Sequence, residues 1–466
     1  MIEGNLSLPF NNIIKLLKEK QKNSSFFKKI REVLIVIMLN DKKEKARKLI
    51  KEFKGDNYLF GLDISNKISD FISEYEGKAL VISNNSQYLK FFMEAIKQSL
   101  EDNNIEIAGE MIVKGAKPNT PSEDVYRIES SILHHNPQFL IAVGSGSTID
   151  AVKAANVLAT LGDHNNDIEN YFGTNLVDTN LNKANRQLLP FVAVQTAASS
   201  AAHLTRYSNV TDFVNSQKKL IVDDQIIPDK AIFDYEITKS ASKKLTADGA
   251  FDSIAHCLEV FYGASQQNFD KLKEVAGLGI DLIVNNLEKV IEDPQDDEAR
   301  EALGLGSDLG GYSIMIGGTN GGHLTSFSLV DLTTHGNACA IMNPYYTVFF
   351  APEIEKQLHV LGKILNQAGY IDSSYKNQKG KKLGISIARG MLKICENIGY
   401  PVKLNDLPDF NDSYIEKALE AAKNPQLEMK LKSMPVSLNA SLVDEYMGSI
   451  LEAAKTGNFD LIKMLK

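Results

Sequence analysis

Cysteine is scarce in this sequence: Cys257, Cys339 and Cys395 are the three present, and they stand far apart. Such spacing builds neither a disulfide framework nor a pair-of-pairs zinc site, so they are read as buried thiols in a reducing compartment. Long hydrophobic runs are missing too. The run Val33 to Leu39, VLIVIML, is too short to cross a bilayer. Met1-Ile2-Glu3-Gly4-Asn5 contains no basic stretch leading into an apolar one, and a cytoplasmic location is the expectation. Positive charge is not in excess either. The net charge is −8 and the pI about 5.6, which argues against non-specific partners such as nucleic acid or an anionic membrane.

At 466 residues the chain is too long for one simple core, and two or three domains are expected. Residues 1–46 look helical and Lys-rich, with Ile13, Ile14, Leu16, Leu17, Phe26, Phe27 and Ile30 at rough helical spacing. Asn40-Asp41 is a candidate cap for a following helix, Lys42 to Phe53. From about residue 58 short apolar runs alternate with helix-like segments. GKALVISN (Gly77–Asn84), IEIAGEMIV, FLIAVGSG and LLPFVAVQT read as strands, and Ser122 with Glu123 marks a helix start. Short connections between them predict a parallel sheet covered by helices on both faces. Asn180–Gln187 and Gln367–Lys382 read as surface loops. Beyond about 238 the strand signal fades and helical segments take over. The predicted organisation is a helical extension over 1–46, an α/β domain over 47–237 and a helical domain over 238–466.

Two patterns carry chemistry. In FLIAVGSGSTIDAVKAANVLA, Phe139 to Ala159, a strand passes through Gly144-Ser145-Gly146-Ser147 into a helix. This is either a tight turn or a phosphate cradle, because glycine permits close approach and the first amides of a helix are free to bind an anion. It is not the three-glycine dinucleotide fingerprint, since position 149 is Ile, nor a P-loop. Asp150 falls in the first helical turn, with Lys153 placed to pair with it. In GAFDSIAHCLE, Asp252 and His256 lie four apart on one helical face. They are a surface pair or half of a metal site. His323 and His335 follow downstream, and one carboxylate with three imidazoles suits Zn²⁺, Fe²⁺ or a similar ion. The chain has only eight histidines, which gives that order some weight.

The ordered motifs resemble the iron-containing (group III) alcohol dehydrogenases, from about Tyr58 to Phe459. AVGSGSTIDAVKAA resembles that family's pyrophosphate loop, with Ser145 in place of the middle glycine. KPNTP at 117–121 is similar to its short turn, and IIPDKAIFD at 226–234 to the segment entering the hinge. ADGAFDSIAHCLEVF and GGHLTSFSLVDLTTHGNACAIMNP resemble its two ligand segments, and NIGYPVKLNDL and MPVSLN its closing helices. The resemblance implies a dehydroquinate synthase-like fold: a Rossmann-like parallel-sheet domain, then an all-helical domain, with the active site between. It implies Asp252, His256, His323 and His335 as metal ligands and catalytic residues. It also implies Asn84, Gly144, Ser145, Gly146, Ser147, Asp150, Lys153, Thr196 and Ser199 at the cofactor. NAD or NADP, a divalent metal (Fe²⁺ or Zn²⁺), a small alcohol or aldehyde substrate and a homodimer are the expected companions.

The sequence departs from the pattern in several places. Gln195 to Ala202 replaces a segment that in the family carries glycines and a final acid. Phe327 stands where the family has a further histidine, four residues after His323. Water, a cofactor ribose hydroxyl or His203 is then left as the proton route. Asn84 in place of an acid leaves NAD against NADP open. The implied reaction is hydride transfer between nicotinamide C4 and an alcohol or carbonyl. A hydroxyacid-oxoacid transhydrogenase, a sugar-phosphate synthase-like enzyme and a degraded nucleotide- or metal-binding relative are the alternatives.

Overall fold

The apolar runs of the first half become parallel strands. The computed structural model describes residues 25–84, 86, 89–109, 112–212 and 217–465; the helical spacing expected over Ile13 to Leu17 lies outside them. Ten strands form among the described residues. They are β1 (Tyr58–Gly61), β2 (Lys78–Ser83), β3 (Glu106–Ile107), β4 (Val113–Lys114), β5 (Phe139–Gly144), β6 (Gly173–Thr174), β7 (Phe191–Gln195), β8 (Tyr207–Asp212), β9 (Gln217–Val222) and β10 (Lys230–Asp234). Seven make one sheet in the order β1-β10-β7-β5-β2-β3, with β4 also on β2, and every pairing is parallel. A smaller sheet, β6-β9-β8, contains the antiparallel pair β8–β9.

The helices of this half are α1 (Ser25–Lys54), α2 (Ile68–Phe71), α3 (Lys90–Asp102), α4 (Ser122–His135), α5 (Gly146–Leu161) and α6 (Leu176–Ala184). Strand side chains alternate between the two faces, and each set meets its own helices. Leu80, Leu140 and Ala142 pack with Ile128 of α4 and Val152 of α5. Val81, Ile141 and Val194 pack with Ile68 of α2 and Phe92 and Ile96 of α3. Strands covered on both faces are apolar throughout, as FLIAV is.

After Asp234 no further strand occurs among the described residues. The chain continues as α7 (Lys243–Tyr262), α8 (Phe269–Val284), α9 (Leu287–Glu292), α10 (Asp297–Ile316), α11 (Gly321–Ser326), α12 (His335–Phe350), α13 (Glu355–Ala368), α14 (Gly380–Asn397), α15 (Ser413–Ala422), α16 (Glu428–Lys432) and α17 (Gly448–Thr456). Helix α7 is buried from Phe251 to Tyr262 and packs against α8, α10 and α12. No helix is long and apolar enough to cross a membrane among the described residues.

Local expectations need correction. Asn40-Asp41 caps nothing: α1 runs unbroken through it, and through residue 46. Ala46, Leu49 and Ile50 bury against Tyr58, Val275 and Leu305, while Lys42 pairs with Asp281 at 2.8 Å and Lys45 with Glu274 at 2.9 Å. The basic face of α1 thus meets acids of α8. Pro121, not Ser122, is the N-cap of α4, and no side chain caps it. The loop expected over Asn180–Gln187 is helical to Ala184. IEIAGEMIV splits into β3 and β4. The hairpin β8–β9 has no counterpart in the expected strands. Cys257, Cys339 and Cys395 are free and buried, as expected.

Candidate active site

A cleft of about 390 Å³ separates the carboxyl ends of β2 and β5 from the helical half. Open parallel sheets present ligand sites at this edge. Asn84, Ser145, Gly146, Ser147 and Asp150 line one side, and Asp252, His256, His323 and His335 line the other.

On the sheet side, β5 ends at Gly144 and Ser145 is the N-cap of the 16-residue α5. Helix N-termini leave amides without internal partners. Gly146 is required by space, because a Cβ there would stand 2.3 Å from Ser200 Oγ. The turn at 117–121 is stapled onto this loop: Asn119 N donates to Ser147 Oγ at 3.1 Å, and Thr120 Oγ1 to the Ser147 carbonyl at 3.2 Å. Asn84 Nδ2 donates to the Ala116 carbonyl at 2.9 Å. Asp150 accepts from the backbone and side chain of Asn209, both at 3.1 Å, and burial raises its carboxyl above the usual range.

On the helical side, Asp252 Oδ1 faces three imidazoles. His256 Nε2 lies 3.6 Å from it, His323 Nε2 3.7 Å and His335 Nε2 3.5 Å. Helical spacing brings Asp252 and His256 together, α11 delivers His323, and His335 opens α12. Neither Asp252 Oδ1 nor His323 Nε2 has a hydrogen-bond partner among the described residues. Burial raises the Asp252 carboxyl, but the imidazoles of His256, His335 and His323 and the Ser199 hydroxyl outweigh it and hold it at about 2. Burial pushes His323 and His335 well below the usual imidazole value. At neutral pH Asp252 therefore offers a carboxylate, and His323 and His335 offer lone pairs. Ligand atoms of Asp252, His323, His335 and Cys339 all lie within 4.8 Å of one another, a group fit to hold a metal ion.

Supporting groups that sequence reasoning missed aim these side chains. Glu259 Oε1 lies 2.8 Å from His323 Nδ1, and its Oε2 accepts from Asn320 N at 2.7 Å. Ser326 Oγ lies 3.0 Å from His335 Nδ1. Glu259 follows Asp252 and His256 by seven and three positions, so helical periodicity was a usable signal. Lys218 and Lys430 also line the cleft, and nothing in their local sequence marks them.

Ser199 lines the cleft and donates from Oγ to Asp252 Oδ2 at 2.8 Å, so it addresses the aspartate. Other expected residues sit elsewhere. Lys153 is sealed in; its ammonium donates to the carbonyls of Ala202, Thr205 and Tyr207 at 2.7–2.8 Å and makes no pair with Asp150. His203 is fully buried, 2.9 Å from Tyr58 Oη and 3.4 Å from Asp308 Oδ1, and does not line the cleft. Thr196 and Gly144 also fall outside the lining, joined by Thr196 N to the Gly144 carbonyl at 3.1 Å.

Two family models match most of the chain: "Iron-containing alcohol dehydrogenase" over residues 55–235 and "Fe-containing alcohol dehydrogenase family, C-terminal" over 246–430. The chain is 27% identical over 296 residues to an NADPH-dependent butanol dehydrogenase of Clostridium saccharobutylicum, covering 63% of this chain and 72% of that one. It is 24% identical over 274 residues to an NAD-dependent methanol dehydrogenase of Bacillus methanolicus, covering 58% and 68%. The crystal structure of NADH-dependent butanol dehydrogenase A from Thermotoga maritima shares the fold, with a TM-score of 0.70 at 22% identity over 86% of this chain and 96% of that one. With its Rossmann-like sheet, helical second half and acid-imidazole cluster between them, the chain belongs to the iron-containing alcohol dehydrogenase family, as a divergent member.

Proposed function

We propose that the protein is a metal-dependent, NAD(P)-linked alcohol dehydrogenase or aldehyde reductase. The observation that carries this reading is Asp252 Oδ1 with three imidazole Nε2 atoms 3.5–3.7 Å away, in a cleft that also holds a free helix N-terminus. The orphaned Asp252 Oδ1 and His323 Nε2 are atoms that a divalent cation satisfies. Asp252, His256, His323 and His335 would hold it. Cys339 is the weaker candidate: its Sγ lies 3.9 Å from His323 Nδ1, the nitrogen that Glu259 already engages. Burial also keeps its thiol protonated.

A divalent ion bound there supplies Lewis-acid polarisation of an alcohol or carbonyl oxygen. The protein's part is placement. Ser199 occupies Asp252 Oδ2 and leaves Oδ1 turned to the imidazoles. Glu259 and Ser326 fix the ring orientations of His323 and His335. The amides opening α5 would hold the cofactor pyrophosphate, and Asn84, which also lines the cleft, would meet the adenosine ribose. With no acid at that position, a 2′-phosphate meets no repulsion from it. Enclosure by Tyr58 and Asp308, away from the cleft lining, favours a proton route that does not use His203.

The test combines metal analysis with separate NADH and NADPH titrations, followed by an alcohol and aldehyde screen. About one metal per chain, tight binding of one nucleotide and turnover support the reading. A filled metal site without affinity for either nucleotide would instead mean that the Gln195–Ala202 segment has closed the cofactor cleft. Full metal content and activity in His335→Ala would overturn the ligand assignment.

A further inference from the structure

Two lysines sit in the cleft without an acid in ion-pair contact among the described residues. Lys218 on β9 and Lys430 on α16 are 6% and 5% exposed, and both line it. Their Nζ atoms lie 5.9 and 5.7 Å from the centroid of the Phe327 ring. That ring in turn stacks on His335, with centroids 6.2 Å apart. Lys430 bonds to Thr319 Oγ1. The Lys218 ammonium makes no hydrogen bond or ion pair among the described residues. No acid among the described residues stands within ion-pair distance of either ammonium: Asp150 accepts from Asn209, Asp248 from Asn337 N at 2.9 Å and Asp252 from Ser199, and these three acids attract Lys218, and Glu259 attracts Lys430, only at longer range.

A buried cation without a counter-ion in contact is costly. Burial pushes both ammonium groups down, Lys430 to about 8. The face of Phe327 offsets part of the cost by cation–π attraction but carries no net charge. A negative group arriving from outside removes it. Because both ammonium groups contact one ring, and that ring lies against His335, the place for that group is beside the Asp252 cluster. A hydrocarbon tail would leave both charges unanswered.

We propose that Lys218 and Lys430 form an oxyanion-holding pair that selects alcohols and carbonyl compounds bearing a carboxylate, sulfonate or phosphate a short chain from the reacting carbon. This rests on the dehydrogenase reading above and deepens it by naming the substrate class.

The test compares butanal with succinic semialdehyde, sulfoacetaldehyde and glycolaldehyde phosphate as substrates of the metal-loaded protein. The expected result is a preference for at least one anionic aldehyde, which distinguishes the three oxyanions. Lys218→Met and Lys430→Met are expected to lower that preference by about 10- to 100-fold, mainly through KM, and the arginine variants to retain most of it. Succinate binding, followed by calorimetry, needs no turnover and is expected to weaken at least about tenfold in each methionine variant. If no aldehyde reacts but succinate binding shows that dependence, the dehydrogenase reading fails and the anion site stands. If butanal reacts as well as the anionic aldehydes and succinate ignores the lysines, the anion site is overturned and the dehydrogenase stands. Variants that weaken NADH or NADPH binding but not succinate binding would assign the lysines to the cofactor and also overturn it.

Discussion

Asp252 and Asp308 are both buried aspartates, 3% and 0% exposed, and each faces histidine. Their surroundings differ. Asp308 Oδ2 accepts the hydroxyls of Tyr58 and Tyr235, each at 2.7 Å, and none of this cluster reaches the cleft. Burial pushes both tyrosines up and His203 down, so each stays neutral beside one carboxylate. Both Oδ1 atoms lack a hydrogen-bond donor among the described residues, but Asp252 meets three ring nitrogens and lines the cleft. An acid–imidazole pair alone therefore does not mark a reactive site. Unfilled bonding capacity turned towards a cavity does.

The comparison breaks most sharply at Asp252. Asp252→Ala is expected to empty the metal site and reduce turnover by several kcal/mol in barrier, about 10³-fold or more. Metal analysis and kcat/KM measure both effects. Asp308→Ala is expected to act on stability instead. It strands two tyrosine hydroxyls, costing about 3 kcal/mol in denaturant unfolding, while metal content holds at the parent level. Loss of metal in that variant would erase the distinction between the clusters. Glu259→Gln leaves the four ligand side chains in place but alters what holds His323, and a 10- to 100-fold weaker metal affinity is expected from chelator competition. The smallest effect belongs to Tyr58→Phe, about 1 kcal/mol of stability from one hydroxyl, read by the shift in denaturation midpoint.

Much of this architecture was legible because it is local. FLIAV reads as a doubly covered strand, and it is β5 in mid-sheet. Asp252 and His256 read as one helical face, and α7 places them so. The N-terminal segment was misjudged at Asn40-Asp41, where polar residues suggested a boundary. Packing of Leu49 and Ile50 and ion pairs to α8 support a continuous helix there. His203 and Lys153 looked available because they flank the cofactor segments. Their enclosure depends on Tyr58 and Asp308 in one case and three backbone carbonyls in the other.

The sequence by itself determined the alternation of strand and helix, the change to all-helix after Asp234, the glycine-serine turn and the Asp252–His256 pairing. Each depends on side-chain periodicity or backbone freedom within a few residues. Only the tertiary structure decided that His323 and His335 converge on Asp252 Oδ1 and that Ser199 serves the aspartate. It also decided that Lys218 and Lys430, 212 positions apart in the chain, share one aromatic ring. Burial, desolvation and missing counter-charges are properties of a site assembled from distant segments, and no local pattern encodes them.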